Sequence, residues 1–424
     1  MPKQPENTPM EPEHAKFDEI INTVSPDEMR NPPPSEERGK NIAVFARFIA
    51  NAHPGWPSFP EEIRDRFRRE IENLYNRNGN GPENLLKEME KTLIRSIPDN
   101  HAFILNPDKS RALDENESSA AVDGKIIDKA PTPETGDNSA YSLAETPACK
   151  TLFRSGTEDF PLAIFEKRDR SGNKIGIVSL TKCPPPGDEK YNSEALKKVF
   201  ADNYGKWNAV VLDVRGNEGG NADVINFVNE KLCGSPPRYC RRQEMRTTPE
   251  AKILQEQKYN RAFLDRLHAQ NPEGYKSPEF TEPDFSAGQG YDGNIYVLTD
   301  RRTGSSAEFV SGLRRHPKVK YVGENTHGCG EYGDTATALL PNGGYLNMGI
   351  YKNELFAGIR EGEGLAPTHR TPPGRDAFDH CMQLMQYDFA RERVSSRLPP
   401  HAKSARPAER TNISGGRLKD GYLR

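Results

Sequence analysis

Val210-Val-Leu-Asp-Val-Arg-Gly-Asn-Glu-Gly-Gly220 opens on an apolar strand-like run, with Asp213 the one charged residue of its first five, and passes into a turn holding three glycines; the residues after it have helical periodicity. A short apolar run of this kind reads as a strand buried on both faces, the kind found inside parallel sheets. A turn between such a strand and a helix exposes backbone N–H groups beside a helix N-terminus, which suits an anion or a developing oxyanion. The same glycines would also serve simply to make the turn tight. The turn lacks the G-K-[ST] of a phosphate-binding loop and the full G-x-G-x-x-G of a dinucleotide turn.

The pattern recurs downstream. Tyr296-Val-Leu-Thr-Asp-Arg-Arg-Thr-Gly-Ser-Ser-Ala-Glu308 again runs from an apolar strand through a short turn into a helical segment. A serine at that turn stands at the strand's C-terminal edge, where helix N–H groups can hold negative charge, so Ser305 is a candidate nucleophile. The competing reading is that Ser305 or Ser306 only caps the helix. Around these two segments, periodicity predicts a strand over Ile175–Leu180, a helix over Ser193–Asn203, a strand over Ala209–Val214 and a helix over Asn221–Cys233. Further on it predicts a strand over Asn294–Thr299, a helix over Ser305–Arg315, and strands at Val319–Val322, Ala336–Leu340 and Gly344–Tyr351. Strand and helix alternating in this way give an α/β fold with a mostly parallel sheet.

Towards the N-terminus, three segments between Asn41 and Ile97 have helical spacing and predict a small bundle, with Ser58 as N-cap of the second helix and Pro60 and Pro82 near helix starts. The domain scheme is an arm over 1–38, disordered or with one short helix; a helical bundle over 39–105; a polar connector over 106–158; an α/β core over 159–390 interrupted by an insertion over 234–293 with one amphipathic helix; and a basic disordered tail over 391–424.

The 424 residues carry 59 Lys+Arg against 62 Asp+Glu, a formal net charge of −3, which gives no bias towards nucleic acid or an anionic membrane. Neither a signal-like N-terminus nor a run approaching about 20 apolar residues is present, so the expectation is a cytoplasmic protein without a membrane span. Cys149, Cys183, Cys233, Cys240, Cys329 and Cys381 are scattered without C-x-x-C or zinc-type His spacing, and read as free thiols.

Three motifs in order carry a resemblance. VVLDVRGNEGGN, then TGSSAE, then VGENTHGCG at Val322–Gly330 resemble the core signature of the tail-specific, C-terminal-processing serine peptidases. The resemblance implies a Clp/crotonase-like core of repeated β-β-α units and a peptidase without cofactor or metal, acting on flexible peptides or unfolded protein tails. It implies Ser305 as nucleophile, with an oxyanion hole from the N–H of Ser306 and one from Gly219 or Gly220. The family's Ser-Lys members have a lysine where this chain has Cys329, so the resemblance is to the tricorn-like branch, which uses a histidine and a glutamate. Pro98-Asp-Asn-His101 is similar to the family's D-x-H segment, making His101 the general base. Arg360-Glu-Gly-Glu-Gly-Leu-Ala-Pro367 is similar to the segment that supplies the carboxylate, making Glu361 the orienting group with Glu363 as competitor. No PDZ-like module is legible between His101 and Ile175, and the insertion is a candidate lid. Two other readings share the fold: an inactive relative that binds peptides or hydrophobic ligands, and an enolate-stabilising enzyme.

Overall fold

The central strand predicted from Val210–Val214 lies in the middle of a seven-stranded sheet. In the computed structural model the described residues are 12–77, 81–113, 149–155, 162–234, 239–280, 290–356 and 359–397. They divide into two units between residues 372 and 373. The strands of the first unit are β1 (Phe103–Leu105), β2 (Cys149–Ser155), β3 (Leu162–Arg168), β4 (Lys174–Leu180), β5 (Ala209–Asp213), β6 (Cys240–Met245) and β7 (Tyr275–Lys276). They continue as β8 (Asn294–Thr299), β9 (Val319–Gly323), β10 (Tyr332–Gly333), β11 (Ala336–Leu339), β12 (Tyr345–Met348), β13 (Tyr351–Leu355) and β14 (His369–Arg370).

The large sheet has the order β14-β9-β8-β5-β4-β3-β2. Its β4, β5, β8, β9 and β14 are parallel neighbours, while β3 and β2 are added antiparallel. Every residue of β5 is buried, as its apolar run demands for a strand covered on both faces. Helices Ser193–Asn203 and Asp223–Cys233 join this layer, and Leu196, Phe200, Val224, Val228 and Leu232 share one core with Val210, Leu212 and Val297. Asn192 starts the first of them, its side chain accepting the N–H of Ala195 at 3.3 Å. Because β5 and β8 are adjacent and parallel, the turns after them emerge side by side at the sheet's C-terminal edge, where open α/β sheets bind ligands.

A second core joins the N-terminal helices to the small sheet β1-β12-β11. Helices Arg38–Ala52, Glu61–Asn76 and Pro82–Ser96 match the three predicted segments. Ser58 does not cap the second: it ends a short 3₁₀ turn and its hydroxyl donates to Gly55 O at 3.0 Å, while Pro60 stands at the cap position. β1 pairs antiparallel with β12, so the chain leaving the bundle is tied to a strand that follows the nucleophile motif by some forty residues.

Several boundaries differ from the sequence reading. The 1–38 arm contains helices Pro12–Ile21 and Pro26–Arg30, because Phe17, Ile20, Ile21, Val24 and Met29 supply enough apolar surface to join the second core. The capping box of Ser25 and Glu28 fixes the start of the latter helix. The 106–158 connector ends in β2, an edge strand; 114–148 and 156–161 lie outside the described residues. The insertion holds two helices rather than one, Pro249–Gln255 and Arg261–Gln270, since Thr248 and Asn260 each cap a fresh start. The segment from Ser305 is a 3₁₀ helix to Leu313, not an α-helix to Arg315; its first bond, Ala307 N–H to Gly304 O at 3.1 Å, already spans three residues. Gly344–Tyr351 is two strands, β12 and the start of β13. In the second unit, helix Ala377–Arg397 runs past the expected start of the tail, with apolar Phe378, Cys381, Met385 and Phe389 at helical spacing; 398–424 lie outside the described residues. No helix among the described residues is long and apolar enough to cross a membrane.

Candidate active site

The two turns are fastened to each other. Asp300 accepts the N–H of Gly216 at 3.0 Å and that of Thr303 at 2.9 Å. Thr303 Oγ1 donates to Val214 O at 2.9 Å, and the N–H of Gly304 donates to Asn217 O at 2.9 Å. Held this way, Ser305 has φ 51°, the left-handed region that a residue with a Cβ enters at a cost of about 1–2 kcal/mol. A sharp, strained serine between a strand and a helix is the geometry that lifts a nucleophile clear of the backbone. The helix cap position belongs to Gly304, which makes no side-chain cap, so Ser305 Oγ is not spent on capping. Ser306 is turned inward and 4% exposed.

Gly219 presses against this serine. Its φ is +99°, and a Cβ there would lie 2.5 Å from Ser305 Cβ and 3.0 Å from Oγ. Only glycine fits. Its own N–H donates to Asn217 Oδ1 at 2.9 Å.

His101 arrives from the other core. Asp99 Oδ1 accepts its backbone N–H at 2.8 Å, and Asn347 Nδ2 on β12 donates to its carbonyl at 2.8 Å. These ties set the imidazole so that Nε2 is 3.2 Å from Ser305 Oγ. Nδ1 points into the protein, 3.6 Å from Asp99 Oδ1. Glu361 is close by: one side-chain N or O atom from each of Asp99, His101 and Glu361 lies within 4.8 Å of the other two. A cation could use such spacing, but both oxygens of Asp99 and Oε1 of Glu361 already accept protein hydrogen bonds. Glu363 is exposed.

The two carboxyls differ in charge. Burial and the neighbouring Asp99 charge push Glu361 well above the usual carboxylate range, against a single opposing N–H from Asn100 at 3.0 Å. Glu361 as a residue is half-buried, yet its Oε2 is sealed from solvent and has no hydrogen bond among the described residues. Burial works on Asp99 too, but hydrogen bonds from His101 and His53 outweigh it and hold Asp99 well below that range. Unfolded, Glu361 ionises near about 4.3. Its stabilising contribution is therefore whole below that value and is lost as pH rises through its raised folded value. Glu361→Gln should accordingly gain in melting temperature over the wild type as pH is raised from 4 to 8, with no gain at the acid end. A difference that does not change with pH would contradict a protonated Glu361.

Glu308 braces the third motif. Its buried carboxylate accepts the N–H groups of Gly328 and Cys329, each at 2.8 Å, and the hydroxyl of Thr326. Gly328 O in turn accepts the N–H of Gly362 at 2.6 Å, so the loop bearing Glu361 is attached to the same scaffold. Cys329, where the lysine of the Ser-Lys enzymes would stand, faces the Ser305 N–H with Sγ at 2.8 Å. Burial, then the nearby Glu308 and Glu361, push its thiol well above the ordinary value, so it stays protonated and a poor nucleophile. Cys329→Ala should lose less than about tenfold in hydrolysis, and native wild type should resist iodoacetamide at neutral pH; inactivation by alkylation of Cys329 would overturn this. The six cysteines are free thiols, all but Cys149 buried.

Sequence reasoning placed Ser305, Ser306, Gly219, Gly220, His101 and Glu361; the structure sets His101 and Gly219 against Ser305, with Ser306 and Gly220 next in sequence, and Glu361 near His101. It missed Asp99 as a partner of His101, His53 behind it, and Glu308. Asp99 had a signal, its place two residues before His101, where a side chain can accept the i+2 backbone N–H.

A family model described as peptidase family S41 matches residues 174–369, a span that includes both turns and Glu361 but not His101. No curated protein matches the chain in sequence. Among solved structures, a putative peptidase from Parabacteroides merdae is 16% identical with a TM-score of 0.53, covering 82% of this chain and 96% of that one. Mature CPAF is 13% identical with a TM-score of 0.50, covering 78% and 92%. At such identities both likenesses speak to the fold. The tricorn protease is 14% identical, with a TM-score of 0.36 over 88% of this chain and 36% of that one, too low to support a branch.

Proposed function

We propose that the chain, whose residues 174–369 match the model of peptidase family S41, is a serine peptidase of the C-terminal-processing type that hydrolyses flexible peptides or protein tails with Ser305 as nucleophile and His101 as general base. The observation that carries this reading is the 3.2 Å separation of His101 Nε2 and Ser305 Oγ, made by two segments 204 residues apart. The general base must reach the proton it takes, and here it does. Ser305 Oγ attacks the peptide carbonyl carbon as its proton moves to His101 Nε2; the same proton then goes to the leaving amine. Water repeats the sequence on the acyl-enzyme and frees Ser305.

The oxyanion would be held by the N–H of Ser306, which precedes the first bond of its helix, and by that of Gly220. Gly219, whose N–H is engaged by Asn217, has a steric part instead: it makes room for the nucleophile. Glu361 completes the cluster around the imidazole. Absence of a lysine at position 329 favours a histidine-based site, as in the tricorn-like branch. An extended substrate segment suits such a cleft, since backbone pairing to a strand edge needs no particular sequence.

The test is digestion of a panel of denatured proteins, with products mapped by mass spectrometry, for wild type beside Ser305→Ala. New termini made by wild type alone support the proposal and read out cleavage preference. The same termini from both proteins, or none from either, refute it.

A further inference from the structure

We propose that Asp99, locked in place by a neutral His53, is the carboxylate that orients and charge-balances His101, and that His53 is a positioning residue of the active site. The inference rests on the reading of Ser305 and His101 as the nucleophile and base.

Gly55 fixes the tautomer of His53. Its backbone N–H can only donate, and it points at His53 Nδ1 at 3.1 Å. Nδ1 is therefore the acceptor nitrogen, and the ring's proton is on Nε2. That nitrogen is 3.0 Å from Asp99 Oδ2, so His53 donates to the carboxylate. The imidazole cannot swing away: it is 0% exposed and packed by the rings of Phe59 and Tyr332, with centroids 5.2 Å and 5.0 Å distant. One oxygen of Asp99 is thus committed to His53. The other accepts the His101 backbone N–H and faces His101 Nδ1.

Glu361 is the competitor, and it is poorly supplied. Its Oε1 accepts one N–H, from Asn100, and its buried Oε2 accepts none among the described residues. Two carboxyls crowded around one imidazole do not both ionise; the one with more donors takes the charge. Asp99 has the donors. With Asp99 charged, His101 carries its proton on Nδ1, facing Oδ1, and leaves the Nε2 lone pair for the Ser305 hydroxyl. When that proton arrives, the imidazolium lies between the nascent Oγ–C bond and a fixed negative charge. His53 never touches substrate. Its work is to keep Asp99 ionised and aimed.

A side-chain amide can imitate a neutral imidazole here, with its NH₂ donating to Asp99 and its oxygen accepting from Gly55, whereas leucine fills the space and does neither. The experiment measures kcat and KM of the full chain on denatured casein, and the rate of Ser305 labelling by a fluorophosphonate, for Asp99→Asn, Glu361→Gln, His53→Leu and His53→Gln. Expected are a kcat loss on the order of 10³–10⁴-fold for Asp99→Asn, and a loss of less than about tenfold for Glu361→Gln, since the charge remains on Asp99. His53→Leu should lose about 10–100-fold at unchanged KM, and His53→Gln should recover to within about threefold of wild type. Labelling rates should fall in the same order while the end point stays at one label per chain. A Glu361→Gln loss as large as that of Asp99→Asn overturns the proposal, and so does a His53→Gln variant no better than His53→Leu. Should Asp99→Asn fail to fold, the His53 pair and Glu361→Gln still decide. Ser305→Ala and His101→Ala controls separate the two levels: if either remains active, the nucleophile–base reading itself has failed; if both are dead, only the assignment of the carboxylate is in question.

Discussion

Ser305→Ala will fold normally and lose hydrolysis by a factor on the order of 10⁶ in kcat, the scale at which removal of a serine nucleophile leaves only binding and the oxyanion donors. The native fold should survive because the turn is held by backbone and by Asp300, Thr303 and Asn217, none of which bonds the serine hydroxyl. The substitution removes one oxygen from a partly exposed position, with no cavity left in either core. Ser306→Ala is the natural companion. Ser306 is buried beside it, and the N–H asked of it survives the change, so its loss should be far smaller. Melting curves and turnover measured on both variants check the result, and reversed effects would put the nucleophile one residue on.

His101→Ala will be nearly as damaging, and the two losses will not add. A nucleophile and its base act as one device, so once either is gone the other contributes almost nothing. The double variant Ser305→Ala/His101→Ala should therefore be no slower than the worse single one. Additive losses would mean that the two residues act independently and that the 3.2 Å contact has no mechanistic meaning. The measurement is kcat/KM for the four proteins of the cycle on one unfolded substrate.

The α/β layer was legible because its signals are local and strong. Residues 209–212 and 295–298 are apolar on both faces, so burial and strand type follow from the run itself, and the following turns announce themselves by glycine and serine. The match to peptidase family S41 was legible for a related reason: three motifs occur in fixed order, the first two at those turns and the third running on from β9. The arm failed because its composition hides a stripe; Phe17, Ile20 and Ile21 are diluted by Pro, Glu and Asn, and only the bundle they pack against makes the helix worthwhile. β2 was not placed, only a hairpin allowed for in the 106–158 connector, because an edge strand with half-exposed residues has little periodicity to read.

The site shows the same division. Ser305 and the glycine turn are neighbours through two adjacent strands, a relation that follows from topology. His101 reaches them only because β1 pairs with β12 far along the chain, which no local pattern reveals; the family motif alone pointed to it. His53 lies in Ala52-His-Pro-Gly55 and looks like any histidine after a helix. Its connection to Asp99 exists only once the helix that ends at Ala52 packs against the loop after Ser96. Glu361 was distinguished from Glu363 by family position, and the structure puts the first beside His101 and leaves the second exposed.

The claim underlying all of this is that Ser305 is an activated nucleophile. Its most direct test is to incubate the full chain with a fluorophosphonate probe at neutral pH and identify the labelled residue by peptide mapping. A single adduct on Ser305 is predicted, formed orders of magnitude more slowly in His101→Ala and absent in Ser305→Ala. No adduct on the folded wild type, or an adduct on Ser306 or another residue at an undiminished rate in Ser305→Ala, would contradict it.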